Sequence, residues 1–332
     1  MTVQPATRYG WVGLGNMGLA MATNLQRHLS TLSEGAPLAY TNRTLSRGDG
    51  LAASGGRAFQ TPAEVVAASD VVFFSLSDDA AVQSTIGGIL ADISSLEGKL
   101  LVDTTTIHPD TTTAISDLVT TASGTYLSSP VFGGTPVAVS GSLLFALAGP
   151  STAIQRVKPL IEACLARSVI IAGPNPRDAM MLKATGNLIT AGLAQLLSEA
   201  FVLAEKSGLE TSIVEELVKQ NYGAYAASVA EKLSTGVYAP ASGERPRSDV
   251  RLAVKDVQVG VDVAGAVGVD LEVGKLALER LKDARDWGES NGRGLDSSSV
   301  YGVARNRAGL DFEREDVLEQ RRLQSEKPQE KD

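Results

Sequence analysis

Apolar residues fall into two regimes along the chain. In the first half they form short unbroken runs between turn residues, such as Val71-Val72-Phe73-Phe74-Ser75-Leu76 and Lys99-Leu100-Leu101-Val102-Asp103. Runs without alternation are what strands buried on both faces of a parallel sheet produce. Segments 9–12, 38–41, 126–131, 143–148 and 169–172 continue the series. Helical stretches lie between them. One follows residue 18, and another opens on Thr61-Pro62-Ala63-Glu64, a capping box with proline at the first helical position. After Gly173 the strand signals stop. The period lengthens to that of a helix over 178–207, breaks at Gly208, and resumes over 211–222, 226–233, 248–266 and 272–288. The pattern predicts a doubly wound α/β domain over 1–173 and an all-helical domain over 174–312. Segment 313–332 is a charged, poorly periodic tail, read as a frayed helix or disordered. The loop 238–246, with two prolines and two glycines, either covers a site or crosses the surface.

The first strand runs into Gly13-Leu14-Gly15-Asn16-Met17-Gly18, a G-x-G-x-x-G between strand and helix. In that setting Gly13 allows the tight turn, Gly15 lets backbone approach a pyrophosphate, and Gly18 lets helix and strand pack closely. The phosphates would rest on free N–H groups at the helix N-terminus. This identifies the first domain as a Rossmann-type dinucleotide-binding unit. The second strand ends in Asn42-Arg43-Thr44, with no carboxylate to hold a ribose 2′-hydroxyl. Asn42 accepts a phosphate without repulsion, and Arg43 offers a planar fork to it. The expected cofactor is NADP(H); the alternative is a solvated arginine on a turn.

Composition narrows the class. At 332 residues with 43% apolar and 20% charged positions, the chain reads as a two-domain globular protein. A net charge of −8 argues against nucleic acid or an anionic membrane as a partner, though not against a small anionic substrate. The single cysteine, Cys164, sits in an apolar run and excludes a disulfide framework within the chain. No apolar stretch approaches the ~18 residues a membrane span needs, and the first eight residues lack a signal-peptide core, so a cytoplasmic enzyme is expected. With only His28 and His108, a metal site is not expected, and acid–base chemistry falls to Lys, Asp, Glu or Tyr. His108 is either a loop residue or a neighbour of the cofactor.

Ligands of such a sheet bind beyond the carboxyl ends of its strands. Three loops stand there: Leu76-Ser77-Asp78, the run Asp103-Thr104-Thr105-Thr106-Ile107-His108-Pro109, and Ser128-Ser129-Pro130-Val131-Phe132-Gly133-Gly134. Their hydroxyls and glycines suit ribose and carboxylate contacts, and equally suit ordinary turns and caps. On the long helix, Lys183 and Asn187 are four residues apart and share a face, with Gly186 between them. Lys183 follows the apolar run Ala179-Met180-Met181-Leu182, so it is either a buried functional lysine or a solvated one.

Together these residues resemble the β-hydroxyacid dehydrogenase family, which includes 3-hydroxyisobutyrate dehydrogenase, tartronate semialdehyde reductase and glyoxylate/succinic semialdehyde reductase. The likeness runs from Gly10 to about Ser299. The family's G-x-G-x-M-G-x-x-M-A-x-N-L is filled at every fixed position of Gly13 to Leu25, and its NADP-type N-R-T is Asn42-Arg43-Thr44. Its D-x-S-T-x-x-P appears at Asp103 to Pro109 with Thr105 in the serine's place. A K-D, whose lysine reaches the cofactor, matches Lys255-Asp256, and a weak D-x-S matches Asp296-Ser297-Ser298.

The resemblance implies Lys183 as general acid and base with Asn187 holding the reacting oxygen. It implies cofactor contacts from Gly13, Leu14, Gly15, Asn16, Met17, Gly18, Asn42, Arg43, Thr44, Leu76, Ser77, Thr105, Thr106 and Lys255. Burial is expected to lower the Lys183 pKa toward about 7–8. The substrate loop departs from the family's D-A-P-V-S-G-G: Phe132 replaces the serine that helps hold a substrate carboxylate, leaving the N–H groups of Gly133 and Gly134. Phe132 either lines the pocket or packs in the core. The reading is NADP-dependent hydride transfer on a carbonyl/alcohol pair, on a small acid or semialdehyde, by a homodimer or higher homo-oligomer. A non-catalytic NADP-binding sensor or scaffold, and an imine reductase on the same fold, are the alternatives.

Overall fold

The computed structural model describes residues 7–32 and 35–325. Their chain divides into two compact units, with the division between Lys183 and Ala184.

The first unit is built on one sheet. Its strands are β1 (Tyr9–Val12), β2 (Ala39–Thr41), β3 (Arg57–Ala58), β4 (Val71–Phe74), β5 (Leu100–Asp103), β6 (Thr125–Ser128), β7 (Val131–Phe132), β8 (Leu143–Ala148) and β9 (Ala166–Gly173). The order β3-β2-β1-β4-β5-β6 is parallel throughout, as in a Rossmann sheet. β8 then joins β6 antiparallel, and carries β7 antiparallel and β9 parallel. The helices are α1 (Asn16–Leu29), α2 (Asp49–Ala53), α3 (Pro62–Ala68), α4 (Asp79–Asp92), α5 (Pro109–Thr121), α6 (Thr135–Val139) and α7 (Ser151–Cys164). Successive strand residues feed opposite faces. Trp11 and Phe73 stack at 5.2 Å on the side packed by Met21, Leu25 and Ile161, while Val12 and Phe74 pack with Val65, Ile86 and Ile115 on the other. Both layers are apolar, which is why the strand runs show no alternation. The capping box forms: Thr61 Oγ1 accepts from Glu64 N–H, and Glu64 accepts from Thr61 N–H.

α8 (Pro176–Ser207) is continuous across the division. Its first turns belong to the first unit because Ala179 packs on Ala146 and Ala148, and Met180 joins the layer around Phe74. The division of contacts thus falls within α8, while residue 173 is the end of β9. The second unit continues with α9 (Thr211–Asn221), α10 (Gly223–Ser234), α11 (Val250–Ala266), α12 (Glu272–Ser290), α13 (Val300–Arg307) and α14 (Glu315–Ser325) around Phe201, Leu233, Tyr238 and Tyr301.

Four details differ from the sequence expectation. The strand read as 126–131 stops at Ser128, because Pro130 donates no hydrogen bond, and resumes as β7 in an antiparallel pair. Residues 315–325 of the expected tail form α14, with Val317 buried and Glu313 bridging Arg293 and Arg321; charge pairing holds it where periodicity is weak. Residues 326–332 lie outside the described chain. The loop at 238 starts inside the core, where the Tyr238 hydroxyl donates to Phe312 O and accepts from Arg314 N–H. Finally, α8 contains an 18-residue window of mean hydropathy 1.4, long and apolar enough to cross a membrane by length and composition. Small polar residues such as Thr185, Asn187 and Gln195 interrupt its apolar runs in the sequence without making it hydrophilic. Ala194, Leu197, Phe201 and Val202 of this helix form part of the second unit's core.

Candidate active site

Four loops leave the carboxyl edge of the parallel sheet and are tied together by backbone hydrogen bonds. Gly13 N–H donates to Thr41 O at 3.0 Å, Ser75 N–H to Val12 O at 2.9 Å, Thr104 N–H to Phe74 O at 2.9 Å, and Ser129 N–H to Asp103 O at 2.7 Å. Loop residues are thus carried by rigid strands rather than by one another alone.

The glycine loop has the shape of a dinucleotide cradle. Gly13 takes φ +96°, and a Cβ there would meet Ser75 O at 2.3 Å. A Cβ on Gly18 would lie 2.2 Å from Gly13 O, so only glycine lets α1 start so close to β1. In front of Gly15 a Cβ would meet nothing within 4 Å. Gly15 is also the N-cap of α1 and supplies no side-chain cap, and the first turn holds no acidic residue. Open space before uncapped N–H groups fits a pyrophosphate. Asn42 works as a strut: its Oδ1 accepts from Leu14 N–H at 2.9 Å and its Nδ2 donates to Thr44 O at 2.9 Å, clamping the glycine loop to the tip of β2. Arg43 and Thr44 are exposed beside it. Arg47 Nη2 donates to Asn16 Oδ1 at 3.2 Å, placing a second guanidinium at the same corner. Sequence reasoning missed it; its spacing of four from Arg43, in a short helical turn, was the available signal.

The next two loops share one buried network. Thr105 Oγ1 accepts from Leu76 N–H at 3.0 Å, and Thr105 N–H donates to Asp103 Oδ1 at 2.9 Å. Tyr126 donates its hydroxyl to Asp103 Oδ2 at 2.9 Å. Burial pushes the Asp103 carboxyl up to about 6, against the hydrogen bonds from Thr105 and Tyr126. Ser77 donates to Asp78 Oδ2 at 2.8 Å, and Thr106 follows on the partly exposed side. His108 is the N-cap of α5, with Nδ1 accepting from Asp110 N–H at 3.1 Å.

Lys183 is 8% exposed. Its Nζ donates to Val131 O at 2.9 Å and lies 4.6 Å from the centroid of the Phe132 ring. The ring packs on a layer of alanines, Ala146 and Ala148 among them, and remains partly exposed, with the Lys183 ammonium over it. Gly133 takes φ +128°, where a Cβ would meet Leu143, and Gly134 is the N-cap of α6. Thr135 Oγ1 reaches Met17 Sδ at 3.8 Å, so the loop after Phe132 lies against the glycine loop.

In the second unit, Asn187 Nδ2 donates to Asp256 Oδ2 at 3.3 Å, and Lys255 Nζ is 3.0 Å from Asp256 Oδ1. Asp256 therefore joins two residues that the sequence offered separately; the adjacency in Lys255-Asp256 was its signal. The D-x-S at Asp296 forms a clamp: Asp296 is buried and accepts from Ser248 N–H, Ser298 N–H and Ser298 Oγ, fixing the entry to α11.

A family model described as the NAD binding domain of 6-phosphogluconate dehydrogenase matches residues 8–173. A second, the NAD-binding region of NADP-dependent 3-hydroxyisobutyrate dehydrogenase, matches residues 178–304. The chain belongs to the β-hydroxyacid dehydrogenase family. It is an NAD(P)-dependent oxidoreductase acting on hydroxyl–carbonyl pairs. The NAD-dependent L-serine dehydrogenase of Pseudomonas aeruginosa is 30% identical over 81% of this chain and 89% of its own. Glyoxylate/succinic semialdehyde reductase 1 of Arabidopsis thaliana is 29% identical over 88% and 96%. The structure of Mycobacterium tuberculosis 3-hydroxyisobutyrate dehydrogenase with L-serine superposes with a TM-score of 0.75 at 25% identity, covering 90% of this chain and 99% of that one.

Proposed function

We propose that this dehydrogenase transfers hydride reversibly between NADP(H) and a small carbonyl/alcohol pair, with Lys183 as general acid and base. The acids and semialdehydes named for its relatives are the starting set. The observation that carries the reading is Lys183, buried yet held by Val131 O and the Phe132 ring at the sheet edge that bears the cofactor cradle. Both contacts are ones an ammonium makes. When bound, the dinucleotide supplies or takes up the hydride. The α1 N-terminus would hold its pyrophosphate. Leu76, Ser77, Thr105 and Thr106 would line the nicotinamide-ribose end, as the resemblance implies, and Lys255 would reach the cofactor. In reduction Lys183 Nζ gives a proton to the carbonyl oxygen; in oxidation the neutral amine takes it from the hydroxyl. Asn187, one turn along α8 with its amide held by Asp256, would orient that oxygen. Gly133 and Gly134 offer backbone N–H groups to an anionic end. A screen of semialdehydes, 2-oxoacids and uncharged aldehydes against NADPH tests this: turnover with at least one is expected, and cofactor binding with no turnover on any would favour the sensor reading.

NADP(H) over NAD(H) rests on the absent carboxylate at the β2 tip and on two guanidinium groups, Arg43 and Arg47, at that corner. For assembly we propose a homodimer through α8. Ile189, Leu196 and Leu203 recur every seven residues and are 66%, 63% and 70% exposed. Sedimentation should show a dimer that Leu196→Glu splits; a monomeric parent protein would refute it.

A further inference from the structure

The loop from Ser128 to Gly134 is short of hydrogen-bonding side chains where a ligand could use them. Its two hydroxyls, on Ser128 and Ser129, are fully buried and turned inside. Pro130, Val131, Gly133 and Gly134 offer none. The one side chain the loop presents at the Lys183 ammonium is the Phe132 ring, whose direction is fixed twice over. Phe132 pairs with Leu144 in the antiparallel β7–β8 ladder, and its ring is seated on alanines. A group bound next to Lys183 on this side meets an aromatic surface.

We infer that Phe132 is a specificity-determining residue that selects carbonyl compounds bearing a hydrocarbon group, branched or aromatic, over those bearing a carboxylate at that place. The inference rests on Lys183 being the proton donor, since it concerns what lies beside the reacting oxygen. The reaction is unchanged: the carbonyl carbon gains hydride from NADPH, the oxygen gains a proton from Lys183, and water reprotonates the amine. A carboxylate laid on Phe132 would lose hydration and gain no hydrogen bond from the ring, while the Lys183 ammonium beside it is engaged by Val131 O and the reacting oxygen; a hydrocarbon group there is removed from water at no such loss.

Succinic semialdehyde and 4-methylpentanal are near isosteres, one ending in a carboxylate and the other in an isopropyl group. With NADPH, the wild-type kcat/KM should favour 4-methylpentanal by about tenfold or more. Phe132→Ser should reduce that ratio by about tenfold, and Phe132→Leu, which keeps an apolar side chain, should hold it within about threefold. If Phe132→Ser does not fold, Phe132→Tyr takes its place, adding a hydroxyl to the same ring, and should move the ratio toward the acid. A wild-type preference for succinic semialdehyde overturns the inference. So does a ratio that stays constant while both rates fall, since that outcome makes Phe132 a support for Lys183 only. If NADPH binds and neither aldehyde reacts, the wider substrate screen decides the hydride-transfer reading separately. Calorimetry of the NADP⁺-loaded protein with 4-methylpentanol and 4-hydroxybutanoate then decides the inference: tighter binding of the first upholds it, and tighter binding of the second overturns it.

Discussion

The cofactor cradle and the loop beside Lys183 occupy the same edge of the same sheet and are built on different principles. In the cradle, function is carried by backbone. A Cβ on Gly13 would strike Ser75 O and one on Gly18 would strike Gly13 O, while the space in front of Gly15 is open, as a pyrophosphate there would need. Gly13 and Gly18 leave no room for a Cβ without a shift of the backbone around them. In the loop beside Lys183, the proposed function rests on side chains instead. The resemblance implies a serine where this chain carries Phe132, on the antiparallel β7–β8 ladder. The contrast is that the proposed cofactor site depends on backbone constraints, whereas the proposed proton transfer and substrate choice depend on side chains, Lys183 and Phe132.

The comparison breaks most severely if backbone constraints are not limiting. Gly18→Ala puts a methyl group 2.2 Å from Gly13 O, closer than van der Waals contact allows, so α1 must shift away from β1. We expect NADPH affinity to fall by about a hundredfold or more, read by fluorescence titration, roughly twice the 1.4 kcal/mol that each factor of ten represents. Unchanged affinity would show that the close approach is dispensable.

The buried network behind the cradle gives a pH test. The Asp103 carboxyl, pushed by burial to about 6 from an ordinary 3.8, should keep its proton between about pH 4 and 6, where the unfolded chain has lost it. Its contribution is therefore greatest near pH 4 and is lost as pH rises through about 6, amounting to about 3 kcal/mol at most. Asparagine has no such titration. The stability of the wild type relative to Asp103→Asn should fall between pH 4 and pH 7 in paired denaturant melts. A flat difference would mean that Asp103 is ionised in the fold at every pH in that range.

Smaller effects sharpen the contrast within the cofactor site. Arg43 is the proposed side-chain determinant of cofactor choice. NADP(H) should bind at least about tenfold more tightly than NAD(H), or about 1.4 kcal/mol, and Arg43→Ala should erase most of that preference while leaving NAD(H) binding intact. Equal affinities in the parent protein would remove the arginine from cofactor choice. On the substrate side, Ser129 is fully buried and its hydroxyl bonds no described protein group. Ser129→Ala should raise stability by about 1 kcal/mol in thermal melts, because an unpaired buried hydroxyl costs more than the methyl that replaces it. A lower melting point would show that the hydroxyl is paired in solution.

What could be read from the sequence divides along the same line. The sheet, the helical second half, the capping box at Thr61 and the glycine loop were legible because period and backbone requirement leave few options. Arg47, Asp256 and the Phe132–Lys183 contact were not, because each depends on which side chain a fold brings within reach. Asn42 shows the limit within a motif. Its place in Asn42-Arg43-Thr44 was plain, yet its strut between Leu14 N–H and Thr44 O appears only in three dimensions. The tail from Glu315 was read as a frayed helix or disordered and is helical to Ser325; what decides between the two, Glu313 bridging Arg293 and Arg321, leaves no periodic trace.

The central claim is that Lys183 moves the proton. Once a substrate is found, kcat and NADPH affinity should be measured together for Lys183→Ala. The account predicts a fall in kcat of about a thousandfold, within the usual range for a lost general acid, and cofactor affinity within a few-fold of the parent. A kcat within about tenfold of wild type, with the cofactor still bound, would contradict it.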